Sequence, residues 1–249
     1  METLRQLKFY NRFREAVKKR TTENMVVPVS GGLDSTLIVK ALYDNGDIGK
    51  AEFLCFGFND YVEMVSDKYG FPIWYPEYPK KYLDSSKIIR TLEEPFYSKS
   101  ISWYLYKSIN LLGSRVSLSG LGADELFGGY DYYNTERYPR GLFKEIKAKT
   151  NEEKKKHDKH FLIHHHLREN EKLGLYWEVE GRYPFLDKEV AKFKDVGKSL
   201  IKAALLQDFP EEFVNRKKEG FRIDNNTNRE HQKQEYLKQF KLWQEIFTK

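Results

Sequence analysis

Met25-Val26-Val27-Pro28-Val29 is a short apolar run that passes directly into Ser30-Gly31-Gly32-Leu33-Asp34-Ser35. From Ser35 to Asn45 the pattern turns helical, with Leu37, Ile38, Ala41 and Leu42 at helical spacing and Gly46 as the stop. An apolar run without polar alternation suits a strand buried on both faces, as parallel strands are between helices. Strand, glycine turn and helix in succession open a doubly wound α/β fold. Ala51 to Phe58 is a second apolar run, Val62 to Tyr69 a helix ending before Pro72, and Ser114 to Ser119 a further short strand. Ahead of the loop, Leu7, Tyr10, Phe13 and Val17 recur at helical spacing and predict an amphipathic first helix. The expected fold class is α/β: a doubly wound, mostly parallel sheet with helices on both faces, and a mostly helical part beyond Tyr138.

The loop itself has chemistry. Two adjacent glycines let backbone N–H groups turn inward and approach an anion without Cβ interference. The following helix adds its positive N-terminal end, where Ser35 can cap or bind. Asp34 supplies a hard oxygen of the kind that holds Mg²⁺ against phosphate. No Gly-Lys-Ser/Thr sequence of a P-loop is present here, so this is a different phosphate cradle. A bare Gly-Gly pair is most often a plain βα turn; the full hexapeptide in this setting is more specific.

Composition narrows the field. No stretch approaches the roughly 20 apolar residues that cross a bilayer, and the N-terminal twenty lack a secretion signal's apolar core. A cytoplasmic protein without a membrane partner is expected. Cys55 is the sole cysteine, which rules out an intrachain disulfide and a thiolate zinc cluster, and its apolar run predicts a buried small hydrophobe. A net charge of +6 suits a polyanion, but the basic residues are interspersed with 37 acids, so nucleic acid is not the favoured partner. His164, His165 and His166 are consecutive and point about 100° apart on a helix, which predicts a solvated or partner-facing cluster. Lys144 to Lys159 reads as an exposed helix or loop, and Tyr236, Phe240, Trp243 and Phe247 as a docking helix.

Three later segments narrow the chemistry: Leu118-Ser119-Gly120-Leu121-Gly122-Ala123-Asp124-Glu125-Leu126-Phe127-Gly128-Gly129-Tyr130, Val179-Glu180-Gly181-Arg182-Tyr183-Pro184-Phe185-Leu186-Asp187, and Arg216-Lys217-Lys218-Glu219-Gly220-Phe221 preceded by Lys198. With Ser30 to Ser35, and in this order, they resemble the synthetase domain of asparagine synthetases, members of the PP-loop (N-type ATP pyrophosphatase) superfamily. The resemblance implies an adenine nucleotide α-hydrolase-like fold over one domain, 1–249, with a nucleotide-binding core at 1–135 and a helical part at 136–249 completing the site. It implies ATP and Mg²⁺, adenylation of a small-molecule carboxylate with release of pyrophosphate, and transfer of ammonia or an amine with release of AMP. Val29, Ser30, Gly31, Gly32, Leu33, Asp34, Ser35, Phe56 and Gly120 would bind the nucleotide, and Asp34 and Asp124 the metal. Lys198 and Lys218 would face the phosphates, and Glu180 would manage the proton of the attacking amine. The plain alternatives are a helix cap for Asp124, an ion pair with Arg182 for Glu180, and surface solvation for the lysines. Pro184 and Phe185 are expected to set the fold of their segment.

Two departures matter. Glutamine-using asparagine synthetases begin with a glutaminase domain, whereas here the first helix starts almost at once, so ammonia, another amine or a separate glutaminase subunit is expected to supply nitrogen. Leu121 stands where the family usually has an acid near the substrate's amino group. Asparagine from aspartate is the default product, and amidation or ligation on a larger substrate (nucleobase, peptide, or β-lactam-synthetase-type ring closure) is the alternative. A catalytically silent nucleotide-binding subunit is a third expectation, from another class. Oligomeric state is not encoded in any of these motifs.

Overall fold

The computed structural model describes residues 3–77, 85–95, 101–130, 150–193, 195–216 and 229–248. Five parallel strands, β1 (Met25–Pro28), β2 (Ala51–Leu54), β3 (Ile73–Trp74), β4 (Val116–Leu118) and β5 (Glu180–Arg182), form one sheet in the order β3-β2-β1-β4-β5. β1 is central and wholly buried, in register with β2 from Met25 opposite Ala51 to Pro28 opposite Leu54, and with β4 at Val26 and Ser117. The strand order reverses at β1, so the turns leaving β1 and β4 emerge side by side. That is where open α/β sheets bind ligands.

The helices, in chain order, are α1 (Leu4–Lys18), α2 (Leu33–Asp44), α3 (Asp60–Tyr69), α4 (Ser85–Leu92), α5 (Ile101–Leu111) and α6 (Ala123–Phe127). After these come α7 (Asn151–Phe161), α8 (Arg168–Tyr176), α9 (Lys188–Ala191), α10 (Ser199–Leu205), α11 (Glu211–Asn215) and α12 (Arg229–Phe247). They cover both faces of the sheet, as the two cores show. Met25 and Val27 point into one core with Phe9, Phe13, Leu37, Phe127, Phe185 and Ile201. Val26, between them, points into the other with Leu54, Ile89, Trp103 and Leu173. That alternation is the pleat of a strand buried on both sides.

α1 starts with a capping box in which Thr3 and Gln6 satisfy each other's backbone N–H groups. Its buried face is Phe9, Phe13, Ala16 and Val17, whereas Leu7 is exposed. The expected stripe was therefore rotated, because Phe9 and Ala16 lie off the spacing that Leu7 and Tyr10 suggested. β5 was not anticipated within the helical part: Glu-Gly-Arg has no apolar character, and only its pairing with β4 makes it a strand. In the Lys144–Lys159 stretch, α7 is only partly solvated, since Lys154 and Asp158 are buried. Of the C-terminal aromatics expected to dock, Trp243 packs on the second core and its indole N–H donates to the Glu93 carbonyl at 2.9 Å, whereas Phe240 and Phe247 are exposed.

α2 has one buried charge in its middle. Lys40 is 5% exposed and pairs with Asp208 and with Asp44 at 3.3 Å. Tyr69 donates to Asp208 at 3.0 Å and Tyr10 to Asp44 at 2.5 Å, so the network joins α1, α2, α3 and the turn after α10. Burial pushes the Asp208 carboxyl up, but Lys40, Tyr69 and Lys68 together hold it below the usual aspartate value. A depressed folded-state value stabilises above the unfolded value of about 3.9 and is lost as the pH falls through the folded one. Urea denaturation across pH should therefore show stability falling below about pH 4. Lys40→Met should cost about 3–5 kcal/mol at neutral pH, by stranding two carboxylates, and should flatten that acid limb.

Candidate active site

The loop after β1 braces itself. Gly32 N–H donates to Ser30 Oγ at 3.3 Å, and the Ser35 and Thr36 hydroxyls donate to the Gly32 carbonyl at 3.1 and 2.8 Å. Gly31 has φ +69°, and a Cβ there would stand 3.0 Å from Tyr61 Cβ and 3.1 Å from the Val62 nitrogen. Left-handed backbone and close approach both demand glycine at this position. Val29 N–H completes the sheet by donating to the Leu54 carbonyl at 2.8 Å. Leu33 and Asp34 then open α2, with the carboxylate in its first turn.

The turn after β4 lies against this loop. A Cβ on Gly120 would be 3.0 Å from Asp34 Cβ. Gly122, at φ +92°, receives Leu186, whose Cδ2 would be 2.4 Å from a Cβ there, so the Pro184–Leu186 turn packs onto the second glycine turn. Asp124 sits in the first turn of α6. Both aspartates thus follow strand ends on either side of the switch point.

Lys198 joins them. It precedes α10 in the left-handed conformation, φ 58° and ψ 32°. Its N–H donates to the Phe127 carbonyl at 3.1 Å, while Gly197 N–H donates to Gly128 at 3.0 Å, tying this turn to the end of α6. The side chain is 5% exposed, with Nζ 2.5 Å from both Asp34 oxygens and 2.6 Å from Asp124 Oδ1. Burial would lower the lysine's pKa, but the two carboxylates outweigh it and hold the ammonium protonated well above its ordinary range. Gly129 leaves the necessary space, since a Cβ there would stand 2.1 Å from Lys198 Cε and 2.2 Å from Asp124 Oδ1.

Two carboxylates converging on one cation also suit Mg²⁺, which is commonly held by one or two carboxylates plus substrate phosphates rather than by an all-protein cage. No group of three or more His, Cys, Asp or Glu residues poised for a metal occurs among the described residues. The donor set fits an ion that arrives with phosphate oxygens of its own.

The other predicted residues lie as follows. Phe56 is buried in the second core, so its ring is core rather than a base-stacking surface. Cys55 is buried, and burial, then Glu63, push its thiol up to about 12, far from a reactive thiolate. Lys218 and Lys217 lie outside the described residues. Glu180 is not brought to the cluster: it opens β5 opposite Val116, the start of β4, at the other end of the sheet from the glycine turns. Its carboxylate pairs bidentately with Arg182 at 2.9 and 3.1 Å, which holds its pKa below the usual value. The pair lines an open cavity of about 610 Å³ with Lys19, Arg20, Tyr183 and Asp187. Of the histidines, His164 is exposed, while His166 Nε2 lies 3.9 Å from buried Glu125, so the three face different surroundings. Gly129 and Arg216 stood in the motifs read from the sequence with no role of their own, and Tyr61 had not been singled out; the Gly128-Gly129 pair after Asp124 was the available signal for the first.

Residues 8–162 and 150–242 match the family model described as Asparagine synthase. The chain belongs to the asparagine synthase family. It is 26% identical over 206 residues to glutamine-hydrolyzing asparagine synthetase 3 of Arabidopsis thaliana, covering 72% of this chain and 33% of that protein. To the glutamine-hydrolyzing asparagine synthetase of Zea mays it is 27% identical over 209 residues, covering 71% and 32%. A probable glutamine-hydrolyzing asparagine synthetase of Schizosaccharomyces pombe is 30% identical over 147 residues, covering 57% and 23%. The chain therefore spans about a third of the length of these asparagine synthetases.

Because Gly129 is the space beside the lysine–aspartate cluster, Gly129→Ala must displace Lys198 or Asp124. Any activity that depends on this cluster should fall about 100-fold, the usual scale for an ångström-level misplacement. The melting temperature should move by only a few degrees, as checked by thermal denaturation alongside an activity measurement.

Proposed function

We propose that this chain is an ATP-dependent ligase that adenylates a small-molecule carboxylate and transfers ammonia or an amine to it, forming AMP and pyrophosphate. The observation that carries this is the convergence of Asp34, Asp124 and Lys198 at the switch point. Joining an amine to a carboxylate in water needs a leaving group, and AMP provides one once the acid has attacked the α-phosphate. The N–H groups of the loop, with the start of α2, bind phosphate oxygens. Asp34 and Asp124 would hold Mg²⁺, which would supply neutralisation of phosphate charge. Lys198 is already poised beside both carboxylates to offset charge on the departing pyrophosphate. Lys218 is a second cation for the same purpose. For Glu180, the bidentate pairing with Arg182 supports a structural role better than proton transfer from the amine.

Leu121, whose N–H donates to Ser119 Oγ at 3.3 Å, occupies the second turn with an aliphatic, half-buried side chain. It cannot hold an ammonium by charge, which favours carboxylates recognised otherwise than aspartate is. It also supports the second reading, ligation on a larger substrate. Ammonia or an amine is the proposed nitrogen donor. The cytoplasm is the proposed location; no helix among the described residues is long and apolar enough to cross a membrane.

The test is a screen of carboxylates with ATP, Mg²⁺ and either ammonia or glutamine, read by pyrophosphate release and product mass spectrometry. An amide with equimolar AMP and pyrophosphate is expected, and Asp34→Asn and Lys198→Met should each lower the rate by about 100-fold or more. ADP and phosphate as products would refute the proposal.

A further inference from the structure

Arg216 is the last described residue before Lys217 and Lys218. Its guanidinium carbon lies 3.5 Å from the ring centroid of Tyr61 on α3 and 4.5 Å from that of Phe213 on α11. The two rings meet edge to face at 5.8 Å. From this slot Nη2 donates to the carbonyl of Gly31 in the phosphate loop. Tyr61 also presses on Gly31 directly, at the contact distance that excludes a Cβ there. One planar cation therefore touches α3, α11 and the loop at once.

The bond to Gly31 has a geometric consequence. A trans peptide is planar, with its C=O and N–H pointing opposite ways. Holding the Gly31 carbonyl toward Arg216 sends the Gly32 N–H to the other side, where Ser30 Oγ accepts it at 3.3 Å. Both residues of this peptide are glycines, which have the least intrinsic preference for one orientation over a flipped one. The bonds at its two ends, from Arg216 to the Gly31 carbonyl and from Gly32 N–H to Ser30 Oγ, therefore select it. Among side chains, arginine is suited to this: its fork donates in plane while its faces stack on rings, and lysine lacks both properties.

We propose that Arg216 is a positioning residue for the phosphate loop. It sets the orientation of the Gly31–Gly32 peptide from a slot between Tyr61 and Phe213. ATP binding by the loop thereby depends on one side chain from outside it. The inference rests on the proposal that the loop binds ATP.

The test compares the wild type, Arg216→Ala and Arg216→Lys by calorimetric ATP binding, by KM and kcat in pyrophosphate release, and by melting temperature. Arg216→Ala should weaken ATP binding about tenfold or more, the scale of one charged hydrogen bond. Arg216→Lys should not restore it, and millimolar methylguanidinium should improve ATP affinity of Arg216→Ala while leaving the wild type unchanged. That rescue separates positioning from a general loss of stability. ATP affinity of Arg216→Ala within about twofold of wild type, or full recovery in Arg216→Lys, overturns the inference. Should Arg216→Ala not fold, Arg216→Lys decides alone: weakened ATP binding supports the inference and wild-type binding overturns it. A wild type that binds no ATP overturns the nucleotide reading too, whereas wild-type binding with an unaffected variant overturns this inference alone.

Discussion

The ammonium of Lys198, held between the carboxylates of Asp34 and Asp124, is the interaction on which the site depends. Two aspartates brought together in a largely water-excluded crevice repel each other and resist ionisation unless a cation stands between them. Much of the neighbouring sequence serves to place that cation. Gly120 lets the second turn lie on the first, Gly129 clears space for the lysine stem, and the α6 end bonds the backbone at Gly197 and Lys198. Lys198 itself is a non-glycine residue at φ 58°, a conformation costing of order 1–3 kcal/mol that persists where surroundings over-determine it. Here the surroundings are the two carboxylates and two backbone bonds.

A buried ion pair is weak evidence for stability, because desolvation offsets most of its Coulombic gain. Among the described residues, Lys40 on α2 and Lys198 beside α2 are such lysines, and their settings differ. Lys40 faces Asp44, Asp208 and two tyrosines deep between helices, away from the strand ends, and its network ties elements together. Lys198 faces carboxylates that start two helices at the switch point of the sheet, where strand order reverses. Similar chemistry at the two places thus divides into an architectural role and a candidate catalytic one.

Much of this arrangement was legible in the residues alone. Continuous apolar runs marked β1 and β2, and glycine turns located both loops, because buried parallel strands and tight turns leave local signals. β5 left none: Glu180-Gly181-Arg182 is a strand only through its ladder to β4. The buried face of α1 was misjudged because Phe9 and Leu7 are both apolar and only packing chooses between them. Asp34 and Lys198 are 164 positions apart, so no local pattern predicts that they touch. Conversely, Glu180 and Arg182 are two apart, so the ion pair could be weighed from sequence as the plain alternative to a proton-handling role for Glu180, and β5 places both on one face.

In the proposed reaction a carboxylate oxygen attacks the α-phosphate of ATP. Oxygen-18 in the carboxylate of an acid that supports turnover reports on this directly. One labelled oxygen should appear in each AMP, since the amine displaces AMP from the acyl carbon and leaves that oxygen on phosphorus. Label found only in inorganic phosphate, with ADP as the nucleotide product, would contradict it.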